Sequence, residues 1–267
     1  MQCSKKGSSS PDENDPLTEF PVKSAVQRAH PRRHAFRWKL AAIVLWGAAA
    51  SAAAIAATSV PDTMNERVRA CTACHGKEGR ATSDGYYPRI AGKPAGYLYN
   101  QLANFRDGRR RNPMMTYLVS NLPDAYLREI AEHFANLHPP YPPPVASSVA
   151  SSTLERGRAL ATRGDPARNI PACTACHGDA LMGVAPAVPA VVGLPRDYVN
   201  SQFGAWRIGA RQALAPDCMA EITRRMSADD VSAVAAYLAA QVVPQNAKPP
   251  TALARKPPLD CGSMSGN

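Results

Sequence analysis

Apolar residues recur every three or four positions over residues 61–243, which is the spacing of one face of an α-helix. The pattern is clearest near the end of two similar stretches, where Pro123 is expected to begin one helix and Ser227 to cap another. The positions that these helices are expected to bury are Leu127, Ile130, Ala131 and Phe134 in the first, and Val231, Val234, Ala235 and Leu238 in the second. The sequence therefore predicts an all-α protein.

Further helices are predicted upstream in each stretch. Residues 94–107 and 195–208 have helical spacing of their aromatic and aliphatic side chains, and each segment is followed by a glycine. A shorter helix precedes position 71, with Asp62 as its expected N-cap, and Ser152 or Thr153 is expected to cap its counterpart.

The two stretches are copies of one unit of about 85 residues. Pairs at a separation of 101 positions are Pro88 and Pro189, Gly92 and Gly193, Tyr97 and Tyr198, Gln101 and Gln202, Arg106 and Arg207, and Gly108 and Gly209. The predicted organisation is a domain at 61–138, a semi-rigid Pro/Ser-rich linker at 139–152, a second domain at 153–243 and a tail at 244–267.

The N-terminal region has the character of an export segment. Residues 1–39 form a polar head, expected to be disordered, whose last residues are basic, and residues 40–57 form an uncharged, alanine-rich run. The run also approaches the length of a membrane span. A cleaved signal and an uncleaved anchor helix with its basic side inside both stay open, and the long head favours the anchor.

The chain is basic, with 31 Lys and Arg against 21 Asp and Glu and a formal net charge of +10. A basic surface favours acidic partners. Nucleic acid is not an expected partner, because the longest basic run is the triplet of Arg109, Arg110 and Arg111 and no aromatic ladder accompanies it.

One hexapeptide, Cys-Thr-Ala-Cys-His-Gly, occurs twice, with Cys71, Cys74 and His75 in the first copy and Cys173, Cys176 and His177 in the second. Cys-x-x-Cys-His is the attachment motif of c-type haem: two thiols one helical turn apart form thioethers to the vinyl groups, and the histidine binds the iron. A zinc ribbon would need cysteine pairs about 15–20 residues apart, and a thioredoxin-like site would need a βαβ context. The sequence therefore predicts two covalently bound haem c groups, each containing iron.

A haem iron with one histidine needs a second axial ligand. The loop before each last helix contains methionine: Met114 and Met115 in the first copy and Met219 in the second. Aligned on the last helices, Met115 lies seven residues before Leu122, and Met219 lies seven before Met226. Met115 and Met219 are the predicted ligands, although a methionine in a helical protein is usually a core filler.

Pro88 and Pro189 follow the motif histidines by 13 and 12 positions. A backbone carbonyl near each proline could accept the Nδ1–H of the ligand histidine and fix its tautomer. A rigid loop proline without that role is an equally good interpretation.

Cys218 adjoins Met219, and as a thiolate it could compete for the iron. Cys261, in the tail, is the other exported cysteine outside the haem motifs. A disulfide between the two is the favoured interpretation for an exported protein.

Residues 61–243 resemble the di-haem class I c-type cytochromes of the cytochrome c4 type. The resemblance is carried by the two hexapeptides, by Pro88-Arg-Ile-Ala-Gly92 before Tyr97-Leu98, by Asn104-Phe105-Arg106-Asp107-Gly108, by the segment from Met115 through Leu122 to Phe134, and by Ile170-Pro171-Ala172. It implies two tandem class I cytochrome c domains, each with one His/Met-ligated haem. Members of this family carry electrons in the bacterial periplasm, typically toward terminal oxidases.

The predicted function is therefore a non-enzymatic electron carrier on the periplasmic side of the inner membrane, with a membrane oxidase or dehydrogenase as its redox partner. Two alternatives remain. A di-haem enzyme of the peroxidase or thiosulfate-oxidising type would be favoured if Cys218 were an iron ligand. A fixed electron-accepting subunit of a membrane dehydrogenase would be favoured by an anchor helix.

Overall fold

A computed structural model describes residues 60–144, 148–244 and 248–264. The predicted head at 1–39 and the apolar run at 40–57 lie outside these residues. The chain separates into two units, Met1–Ser59 and Val60–Asn267, and the description below concerns the second. Within the described ranges, no helix combines the length and the apolar character that a membrane span requires.

The N-terminal half contains five α-helices in the described residues: α1 Met64–Arg67, α2 Arg69–His75, α3 Ala95–Arg106, α4 Pro113–Val119 and α5 Asp124–Ala135. The C-terminal half contains α6 Ser151–Thr162, α7 Thr174–His177, α8 Arg196–Arg207, α9 Cys218–Arg225 and α10 Ala228–Ala239. The predicted helix-rich fold is confirmed. Helices α3 and α8 lie within one residue at each end of the ranges predicted for them.

The C-terminal half also contains a small sheet that the all-α prediction did not include. Strands β1 Gly183–Val184 and β2 Val188–Pro189 pair antiparallel, with Val184 opposite Val188. Gly183 has φ 82°, and a Cβ there would overlap the Val188 carbonyl. A glycine at this turn lets the two short strands approach.

Two of the predicted N-caps are wrong. Thr63, not Asp62, caps α1 by accepting from the Glu66 amide at 3.4 Å, because Asp62 is engaged in an ion pair with Arg67 at 2.6 Å. Helix α6 begins at Ser151, before both of its predicted caps, since the Ala150 carbonyl already accepts from the amides of residues 153 and 154.

The cap predicted at Ser227 is confirmed. Its hydroxyl accepts from the Asp230 amide at 3.1 Å, and the Asp230 carboxylate accepts from the Ser227 amide at 3.0 Å. This reciprocal pair satisfies amide groups that the first turn of a helix leaves without an intrahelical partner.

Each half has its own apolar core. All eight positions predicted to be buried on α5 and α10 are buried, with Leu127 fully inaccessible and Val234 at 1 % exposure. In the C-terminal half α10 packs against α6. Gly157 permits this contact, because a Cβ there would overlap the Ala233 carbonyl.

The beginning of the linker is packed against the N-terminal half. The buried guanidinium of Arg89 donates to the carbonyls of Pro139 and Pro140 and lies 3.9 Å from the centre of the Tyr141 ring. Tyr141 in turn packs against the core of the C-terminal half. Residues 139–141 of the linker are therefore held by contacts to both halves.

The tail is attached to the C-terminal half by the predicted disulfide, which joins Cys218 to Cys261. The Ala185 amide also donates to the Pro250 carbonyl at 2.8 Å. Ser263 accepts at its hydroxyl from the Leu214 amide at 3.2 Å. These contacts fix the path of the tail residues that the structure describes.

Candidate haem sites

Each hexapeptide forms a short helical segment that ends at its histidine. Helix α2 ends at His75 and α7 at His177, and the following glycines, Gly76 and Gly178, have φ of 75° and 79°. A Cβ on Gly76 would overlap the Ala81 carbonyl. The glycine thus lets the chain turn away at once, which leaves the histidine at the end of its helix.

Both motif histidines are held by the carbonyls considered from the sequence. His75 Nδ1 lies 2.9 Å from the Pro88 carbonyl oxygen, and His177 Nδ1 lies 2.8 Å from that of Pro189. A carbonyl only accepts, so Nδ1 carries the proton and Nε2 keeps its lone pair for a metal. The histidine–carbonyl contacts considered from the sequence are therefore present at both prolines.

Burial lowers the pKa of both histidines, which favours the neutral imidazole that an iron requires. Burial also raises the pKa of three motif thiols, that of Cys173 to about 11 and those of Cys71 and Cys176 in the same direction. The four motif cysteines are free of disulfide bonds. Unpaired thiols next to a neutral histidine fit the attachment of a haem through thioether bonds.

The second motif opens onto a predominantly apolar cavity of about 200 Å³. Its lining brings together the four predicted site residues of the C-terminal half: Cys173, Cys176, His177 and Met219. Apolar side chains such as Leu160, Val199 and Phe203 complete the walls. A thioether sulfur and an imidazole in one apolar cavity form the donor set of a low-spin c-type haem.

In the N-terminal half the predicted residues belong to two adjoining clusters. Cys71 packs against the cluster of Val68 and Phe134, and Met115 packs against that of Phe105 and Val119. The side chains that contact both clusters are Tyr99, Leu102 and Leu122. The two predicted site residues therefore lie on neighbouring parts of one core.

Burial separates the two adjacent methionines of the first half. Met114 is 60 % exposed, whereas Met115 packs against the core. Counted from the N-caps Asn112 and Asp217, it is Met114 that corresponds to Met219. Burial, together with the alignment on the last helices, favours Met115.

No protein-family model matches the chain. A thiosulfate dehydrogenase electron acceptor from Stutzerimonas stutzeri is 39 % identical over 175 residues, which cover 66 % of this chain and 80 % of the relative. Cytochrome c4 from Pseudomonas aeruginosa is 33 % identical over 171 residues, covering 63 % and 82 % of the two chains. The chain belongs to the cytochrome c4 family.

The solved structure of reduced cytochrome c4 from Pseudomonas stutzeri superimposes with a TM-score of 0.57 at 25 % identity and covers 66 % of this chain and 95 % of that one. These relatives are named as cytochromes or as an electron acceptor, which confirms the prediction of an electron carrier with covalently bound haem c. The enzyme alternative loses its one supporting feature, because Cys218 is in a disulfide.

Two arginines at the junction of the halves were not predicted from the sequence. Arg110 and Arg211 of the present protein form an antiparallel backbone bridge. The Arg111 amide donates to the Ala210 carbonyl and the Gln212 amide to the Arg109 carbonyl, each at 2.7 Å. Extending the repeat alignment two residues past Gly108 and Gly209 would have paired them.

The side chains of Arg110 and Arg211 form a network with approximate two-fold symmetry. Each guanidinium donates to both glutamines of the repeat and to a tyrosine of the opposite half: Arg110 to Gln101, Gln202 and Tyr198, and Arg211 to Gln202, Gln101 and Tyr97. Within the described residues, neither guanidinium has a carboxylate within 4.0 Å. The junction therefore holds two positive charges whose partners are neutral.

Proposed function

We propose that this protein carries two haems c in two tandem class I cytochrome c domains, 61–138 and 153–243, joined by the linker 139–152. One haem is attached to Cys71 and Cys74 and the other to Cys173 and Cys176. The observation that carries the proposal is the equivalence of the two motifs: in each, the histidine donates from Nδ1 to a proline carbonyl at the same place in the repeat.

The proposed axial ligands are His75 with Met115, and His177 with Met219. The bound groups would supply one-electron exchange at iron. Methionine as the second ligand raises the reduction potential and closes the coordination sphere. The protein's own part is to orient the two imidazoles through their proline carbonyls, to exclude water with the apolar walls, and to present Arg110 and Arg211 to the carboxylates that a haem carries.

The proposed electron donor is a thiosulfate-oxidising dehydrogenase, and the proposed place is the periplasm. Support comes from the 39 % identity to a relative named as a thiosulfate dehydrogenase electron acceptor. The net charge of +10 suits a partner with an acidic docking face. Whether residues 40–57 are removed as a signal or retained as an anchor stays a prediction.

The test is reduction of the purified holoprotein followed by its haem absorption in a stopped-flow instrument. With thiosulfate and a catalytic amount of a thiosulfate dehydrogenase, both haems should be reduced. With thiosulfate alone they should stay oxidised over the same period. Thiosulfate oxidation by the protein alone at roughly 1 per second or faster would make it an enzyme. Failure of the dehydrogenase to reduce it would exclude the proposed donor.

A further inference from the structure

Lys93 is a buried lysine that crosses from one half of the molecule to the site of the other. It belongs to the N-terminal half, two residues before α3, and it is 5 % exposed. Its Nζ donates to the Ala190 carbonyl of the C-terminal half at 3.3 Å. The side chain also lines the cavity that contains His177 and Met219.

The ammonium of Lys93 has no acidic partner in the part of the chain that the structure describes. Within the described residues no carboxylate lies within 4.0 Å of its Nζ. Asp217 is the carboxylate that lines the cavity, and its two oxygens already accept from the amides of Ala213 and Ala220. Burial lowers the pKa of Lys93 to about 8, which still leaves it charged at pH 7.

The charge at position 93 is not part of the repeat. The aligned position of the second copy, 101 residues later, is Leu194. The shared network of Arg110 and Arg211 is common to both halves, whereas Lys93 adds a cation to the cavity of the second site alone. A buried ammonium costs stability that a leucine at the same place would not cost. A role in the chemistry of the second site would account for its presence.

Building on the two-haem function proposed above, we propose that Lys93 is a tuning residue for the haem attached to Cys173 and Cys176, and that its ammonium raises the reduction potential of that haem. Ferric haem carries one more positive charge than ferrous haem, so a nearby cation disfavours the oxidised state. Poor solvent screening in the cavity strengthens the effect. The N-terminal half therefore sets the potential of the C-terminal site through one side chain.

The test is a spectroelectrochemical titration of the intact holoprotein, with the two haems distinguished by the NMR signals of their ligand methionines. In Lys93→Gln, the equilibrium constant for reduction of the second haem should fall about tenfold, which is 59 mV for a one-electron couple. Lys93→Met removes the same charge and places an apolar side chain in the cavity, so it should lower the equilibrium constant by the same factor. Lys93→Arg should restore most of the potential, and Lys248→Gln, the same change at an exposed position, should leave both haems unchanged.

The inference would be overturned if the equilibrium constant for reduction of the second haem stayed within twofold of the wild-type value in both Lys93→Gln and Lys93→Met. A fall confined to the first haem would also overturn it. If Lys93→Gln fails to incorporate haem, the comparison of Lys93→Met with Lys93→Arg decides the question. A wild-type protein without two His/Met signals would instead refute the two-haem proposal, which the same NMR spectrum shows before any variant is made.

Discussion

The disulfide between Cys218 and Cys261 should contribute a large share of the stability of the second site. The two cysteines are 43 positions apart in the sequence. Closing a loop of that length removes about 13 cal/mol/K from the entropy of the unfolded chain, or about 4 kcal/mol at 25 °C. In the folded protein, tail residues Ser263 and Met264 line the same cavity as Met219.

The perturbation is the double variant Cys218→Ser/Cys261→Ser, which leaves no single thiol to pair with a haem-motif cysteine. Denaturant unfolding should be followed by the weak red absorption of methionine bound to ferric haem. We expect the free energy of unfolding measured at the second haem to fall by about 2–4 kcal/mol, since strain in the bond and residual structure in the unfolded chain reduce the ideal value. The transition of the first haem should change much less, because neither cysteine of the bond belongs to the N-terminal half.

The single variant Cys261→Ser is the control, because it leaves the Cys218 thiol free to bind the iron. If Cys218 then displaces Met219, the red band of the second haem disappears without denaturant. In the double variant, by contrast, the band should be present until the protein unfolds. If the free energy of unfolding of the double variant, measured at the second haem, lies within 1 kcal/mol of the wild-type value, the proposed contribution of the disulfide is refuted.

Two further predictions concern the axial methionine ligands and the loss of folding stability at low pH. Met115→Ala and Met219→Ala should each remove about half of the red absorption and lower the potential of one haem, and a variant that retains the full band would exclude that methionine as a ligand. Burial by itself raises the pKa of Asp230, but hydrogen bonds from Arg168, the Ser227 amide and Arg156 lower it more, so the net pKa lies well below its usual value. This stabilisation is present above the unfolded pKa of about 3.9 and is lost as the pH falls through the lower folded value. Asp230→Asn should therefore lower the free energy of unfolding by about 2 kcal/mol at pH 7 and reduce its further loss below pH 4. Denaturant titrations at pH 3 and pH 7 measure both effects. A difference between the two pH values equal to that of the wild type would contradict the prediction.

Strong local signals explain what the sequence predicted well. Helix α3 follows from apolar spacing between a proline and a glycine, and both of its ends were found within one residue. The histidine–carbonyl contacts were one of two interpretations of prolines that follow the motif histidines by 13 and 12 positions in two copies of one unit. Repetition made each of these predictions more specific than a single copy would allow.

The errors came from competition between nearby groups. Asp62 is a good N-cap residue, but its carboxylate is taken by Arg67, and Thr63 performs the cap instead. Strands β1 and β2 have only two residues each, which is too short to show the alternation of a strand in the sequence. Such outcomes depend on which partner lies closer in three dimensions, and residue preferences do not contain that information.

The differences between the two sites come from residues outside the repeat. The motif, the proline carbonyl and the predicted ligand methionine are duplicated, so the sequence predicts two similar haem sites. Lys93 reaches its acceptor Ala190 across 97 positions, and the tail reaches the cavity through a bond across 43. Lys93 lines the cavity of the second motif and brings a charge to it, and the tail lines the same cavity and is held by a covalent bond. The repeat therefore predicts two similar sites, whereas contacts between the halves and with the tail make the surroundings of the second motif different from those of the first.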